Sequence, residues 1–148
     1  MADHVRKQIR VAAAAALTSL TTTGANVFPS RVYPMQDADL PGLRIYTNDE
    51  QIENEEIGAG RTRERSLDLV VEACVKAASG YDDTADQIQK EVEIALDDDN
   101  TLGGLAKYIE PRQVQNALAG EGEKPIALRR IVFEVFYQTA MGAPDVAL

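Results

Sequence analysis

Residues 66–78 read SLDLVVEACVKAA, and the alternation inside this run decides the fold class. Leu67, Leu69, Val71, Ala73, Val75 and Ala77 take the odd positions, while Ser66, Asp68, Glu72 and Lys76 fall among the even ones. Side chains on a strand point alternately to opposite faces, so the run reads as one long strand with an apolar face and a mostly polar face. On a helix the same apolar residues would scatter around the circumference. The apolar face must rest on a second layer, and helices are the cover the rest of the chain offers.

Moving upstream, Arg61, Arg63 and Arg65 continue the period-two spacing and share a strand face. Gly58-Ala59-Gly60 is a turn, and before it lies an acidic segment, Asp49, Glu50, Glu53, Glu55 and Glu56, punctuated by Ile52 and Ile57. Residues 50–57 and 61–78 therefore read as a long hairpin with one acidic arm and one arm that begins basic. Opposite charges across strands add about 0.2–1 kcal/mol per pair. GLRIYT, residues 42–47, is a shorter strand, preceded by the loop PMQDADLP. Val27–Tyr33 is a strand at an edge or a bulge, because Pro29 has no N–H to donate. Upstream of it, Val5, Ile9, Ala12, Ala13, Ala16 and Leu17 form one helical stripe over residues 3–20, with Asp3 as N-cap and Gly24 as the stop.

Downstream, Asp83–Leu96 is a second helix that buries Ala85, Ile88, Val92, Ala95 and Leu96, with Thr84 and Gln87 at capping-box spacing. Tyr108–Leu118 is a strand weakened by Pro111, residues 120–125 are a loop, and Ile126–Thr139 is the last strand. Residues 140–148 read as a loose tail. The pattern is α+β over a single domain, residues 1–148: a mostly antiparallel sheet with long hairpins and two helices packed on one face. Two helices cover only one face, yet the last strand also places Val132 and Phe136 beside Arg130 on the other.

The chain offers little acid, base or nucleophile chemistry. His4 is the only histidine and Cys74 the only cysteine, so no intrachain disulfide can form. His4 reads as a surface side chain and Cys74 as a small packed hydrophobe. The run DDDN at 97–100 lacks the glycine and terminal glutamate of an EF-hand loop, and GAGR at 58–61 lacks the Lys-Ser/Thr of a phosphate loop. No enzyme, catalytic residue, cofactor or metal is expected. VAAAAAL is too short to span a bilayer, and no signal peptide or membrane partner is expected. A net charge of -9 argues against DNA gripped through its phosphates, though not against a surface past which DNA slides. The charged arm is either a solvated hairpin or a contact with a neighbouring copy. The candidate contact residues are Asp49, Glu50, Glu53, Glu55, Glu56, Arg61, Arg63, Arg65, Arg130 and Phe136.

The ordered pattern resembles the tail terminator proteins of long-tailed bacteriophages, the lambda-like minor tail protein U group. The resemblance lies in HVRKQIRVAAAAAL, DADLPGLRIYT, RERSLDLVVEA, DQIQKEVEIAL and LRRIVFEVFYQT, and is most specific in residues 37–46 and the closing strand. It implies a virion protein, assembled in the host cytoplasm, that forms a homohexameric ring on the head-proximal end of the tail tube. Such a ring stops tube polymerisation and presents the surface for the head–tail connector. Its partners are then itself, the tail tube protein and the connector or stopper protein, with DNA passing through without sequence-specific binding. The alternatives are another neck or tail-completion protein, or a small ligand-binding α+β domain.

Overall fold

The computed structural model describes residues 2–29, 36–55, 60–119 and 125–148. The elements in chain order are α1 (Val5–Ala16), β1 (Val27–Phe28), β2 (Gly42–Asn54), β3 (Thr62–Lys76), α2 (Tyr81–Asp98), β4 (Tyr108–Ala119), β5 (Ile126–Ala140) and β6 (Ala143–Ala147). They form the expected α+β arrangement. The strand order is β1-β2-β3-β5-β4, with β6 paired to β5. The β1–β2 pair is parallel and every other pairing is antiparallel. The quoted strand is the hub, since β3 pairs with β2 on one side and with β5 along its whole length on the other.

One face of the sheet carries the core. Leu67, Leu69, Val71, Ala73 and Val75 of β3 join Ile131, Phe133, Val135 and Tyr137 of β5 there. Val5, Ile9, Ala13 and Leu17 from the first helical segment, and Ile88, Val92 and Leu96 from α2, close over them. Alternation along the strands and helical spacing in α1 and α2 thus converge on one apolar layer.

Several expectations are corrected. The helix cap is His4, not Asp3: the imidazole Nδ1 accepts from the Arg6 backbone N–H at 3.0 Å. Helix α1 stops at Ala16 rather than Leu20, and Gly24 instead closes the following turn, where the Ser19 N–H donates to its carbonyl. Helix α2 opens two residues early, after Gly80 in the left-handed region (φ 80°), and has no side-chain cap. The expected strands at 42–47 and 50–57 run as one strand, joined through a bulge between Thr47 and Glu50. The tail is not loose. Met141-Gly142 turns the chain back, β6 pairs with β5, and the Leu148 N–H donates to the Gln138 carbonyl. Gln8 on α1 clamps this strand by donating to the Asp145 carbonyl at 2.9 Å. Part of the strand expected at 27–33 lies outside the described residues, as do Glu56 and most of the loop at 120–125.

Candidate assembly surface

The bulge decides where the charges of the arm go. With unbroken alternation, Glu50 would share a face with Arg44 and Tyr46. The bulge adds a residue and turns Glu50 to the helix side, opposite Leu67. There its carboxylate lies 3.2 Å from Arg6 of α1 and 3.2 Å from Arg65 of β3. The Tyr137 hydroxyl donates to the same carboxylate, and Arg65 Nε donates to Thr139 Oγ1 at 3.0 Å. Arg65, Tyr137 and Thr139 are all buried. Burial, then the bond to Glu50, raises the Tyr137 pKa, so the phenol stays protonated and donating. His4 sits at the edge of the cluster. Its pKa is lowered, first by burial and then by the charges of Arg6 and Arg65.

A second charged cluster lies on the opposite face. Glu72 is 1% exposed in the middle of β3, between Arg44 of β2 and Arg130 of β5, which are its cross-strand partners in register. Arg44 pairs with it directly, Arg130 Nε lies at 2.7 Å, and the Tyr46 hydroxyl donates from 3.3 Å. Cys74 follows two residues later and is fully buried, and its thiol is pushed up to about 12 by burial first and then by Glu72. A thiol held so far from its thiolate is inert. Further along this face Phe136 stacks on Tyr108, with ring centroids 5.3 Å apart. Beside them, Asp49, Gln51, Ser66, Asp68, Arg112 and Glu134 line a shallow hollow of about 310 Å³. Asp68 and Glu134 stand directly opposite each other on neighbouring strands. Burial, followed by Asp49 and Glu134, raises the Asp68 pKa.

The contact residues expected from the sequence therefore separate into three groups. Asp49, Glu53 and Glu55 are exposed on β2 and just beyond it; Glu53 stands opposite Glu64, while half-buried Arg63 stands opposite Asn54 and donates to it at 3.3 Å. Arg61 is half-buried at the start of the returning arm. Glu50 and Arg65 are spent inside the subunit and are not available to a neighbour. Arg130 and Phe136 lie half-buried on the second face, one gripping Glu72 and the other stacked on Tyr108. Sequence reasoning missed Glu72 as a buried anion. Its signal was present: it is the one acidic residue inside the most apolar half of the strand, level with an arginine on each neighbour.

Comparison of the chain with protein-family models and with curated proteins finds no match to either. Among the described residues, no group of three His, Cys, Asp or Glu side chains is placed to hold a metal ion. No described helix is long and apolar enough to cross a membrane.

Proposed function

We propose that the chain is a ring-forming structural subunit that caps the head-proximal end of a bacteriophage tail tube. In this role it stops tube polymerisation and offers the surface to which the head connector joins. The observation that carries the proposal is the hairpin arm. From Asp49 to Asn54 the side chains of β2 other than Glu50 are exposed, and the carboxylates among them are Asp49 and Glu53. The root of this arm is pinned by the buried Glu50–Arg65 pair. A charged, anchored sheet edge of this kind suits a repeated contact between neighbours, where charges fix register and exclude wrong partners. A cyclic ring needs one such unlike-to-unlike contact, repeated until the rotation closes. In the hollow Asp49, Asp68 and Glu134 outnumber Arg112, which pairs with Glu134, so the net negative charge would repel rather than grip a phosphate backbone. The tube and connector as partners, and the virion as the location, are proposed on the resemblance of the ordered sequence pattern to tail terminators.

Electron imaging of the protein mixed with tail tubes tests this. The expected result is added density at one tube end only, with tube length fixed. Protein that never touches tubes sinks the proposal. A ligand-binding role has one observation in its favour, a hollow of about 310 Å³ between the start of α2, the end of β4 and the start of β5, lined by Tyr81, Ala85, Leu118, Leu128 and Arg129. A screen for thermal shifts with small molecules separates the two roles, since a terminator gives none.

A further inference from the structure

The two outer edges of the sheet are unlike. Among the described residues, the outer edge of β2 is unpaired from Asp49 to Asn54, and the outer edge of β4 is unpaired along its length. The β2 edge exposes Asp49 and Glu53, so two such edges repel each other. The first half of β4 is guarded by Glu110, Pro111, Arg112 and a bulge between Pro111 and Gln113, the devices by which natural edges resist pairing. Beyond the bulge the guard stops. Residues 113–119, QVQNALA, carry no charge and no proline. Val114 is 42% exposed and Leu118 is 66% exposed, and both lie on the helix side of the sheet beside Asn116, opposite Ile131, Ala127 and Arg129 of β5.

We propose that this half-edge pairs with the same half-edge of a second copy, antiparallel about a two-fold axis at Asn116. The spacing is self-complementary. Centring on Asn116 sets Val114 of each copy opposite Leu118 of the other, and Gln115 opposite Ala117. Side chains keep their faces, the Val114–Leu118 pair forms twice and covers both exposed apolar residues, and no charged pair falls within the paired stretch. The backbone N–H and C=O groups of the edge gain partners at the same time. Pairing β4 with the β2 edge of a neighbour fits less well. Asn116 is level with Ala73 of β3 through Arg129, whereas Ile52 is level with Arg65. At about 3.3 Å per residue, such a pair would slide the two copies past each other by roughly 26 Å.

This inference does not rest on the tail-terminator role. A ring of one polarity joins unlike surfaces, whereas this contact joins like ones, so the pair is a state of the free protein. Light scattering on the full-length protein across a concentration series tests it. The expected mass rises to twice 16.1 kDa. Val114→Lys and Leu118→Lys, both at exposed positions, move the monomer–dimer midpoint upward at least about tenfold, without changing the melting temperature at concentrations where both proteins are monomeric. Asn116→Cys, oxidised under mild conditions, gives a linked dimer on a non-reducing gel. Glu53→Cys on the opposite edge does not, and the buried Cys74 does not interfere. A monomer at every concentration overturns the inference. So does a dimer that ignores both lysines, or one that links through Glu53→Cys. Tube-end imaging reads the terminator role separately, so failure of either proposal leaves the other standing.

Discussion

At the scale of single residues, Glu50 is the group on which most depends. It accepts from two guanidinium groups and a phenol, each from a different element. A buried ion pair is weak support for stability in itself, but removing one partner strands the other charge and costs about 3–5 kcal/mol. Glu50→Ala is therefore expected to lose that much in urea unfolding, because Arg65 stays buried. Glu53→Ala, three residues on and exposed, should stay within about 0.5 kcal/mol of the parent. Equal effects from the two would contradict the inward placement of Glu50. For the same reason, reversing Arg65 to glutamate would damage the subunit before any assembly could be measured. His4 gives a pH prediction whose sign follows from its lowered pKa. The fold holds the neutral imidazole, whose Nδ1 caps α1, so the unfolded chain binds the proton more readily. This contribution is fully present above the unfolded pKa of about 6.5 and is lost as pH falls through the lower folded value. Thermal melts at about pH 7.5 and about pH 5 should show the parent losing more than His4→Asn, which keeps a neutral cap. A parallel loss in both proteins would remove His4 from the account.

At the scale of elements, alternation was legible and its interruptions were not. The strand at 66–78 and residues 131–137 of the closing strand could be read because one parity is apolar throughout, against a single apolar layer, while every charged residue falls on the other. The bulge between Thr47 and Glu50 lies in TNDE, with neither glycine nor proline to mark it. Without it, nothing in the sequence set Glu50 apart from its acidic neighbours, and a buried group looked like a surface contact. Strand β6 was missed for a different reason. APDVA is short and contains a proline, so its signal is weak, and it is held by a turn, by its pairing with β5 and by the Gln8 clamp from α1, which are all tertiary. Removing residues 143–148 should thus do more than trim a tail. It strips Ala147 from beside the core and leaves Gln138 without its Leu148 donor. A cost of about 1–3 kcal/mol is expected, with faster hydrogen exchange at the start of α1 and the end of β5. If the truncated protein melts and exchanges like the parent, β6 is not part of the cooperative unit.

At the scale of the whole molecule, the two faces of the sheet do different work. The helix side holds the apolar layer, while the other side holds buried Glu72 between two arginines and the acidic hollow. The arm and the strand edges are the places where another copy can extend the sheet. In the proposed ring, a charge at the arm recurs at every subunit interface, so a substitution too small to notice in one pair is multiplied around the closed structure. An exposed ion pair is worth about 0.2–1 kcal/mol. Reversing Glu53 to lysine should leave the melting temperature of the free subunit within a degree or two, since its side chain is exposed. The concentration needed to cap half of the tube ends should nevertheless rise several-fold, because each interface of the ring loses the same fraction of its energy. Added salt should shrink the difference between parent and variant, since screening removes the attraction that the reversal destroys. Counting capped ends by electron imaging at low and moderate salt reads both effects at once. Capping that is unchanged at either salt would take the arm out of the subunit interface and leave the ring contact to be sought elsewhere on the sheet.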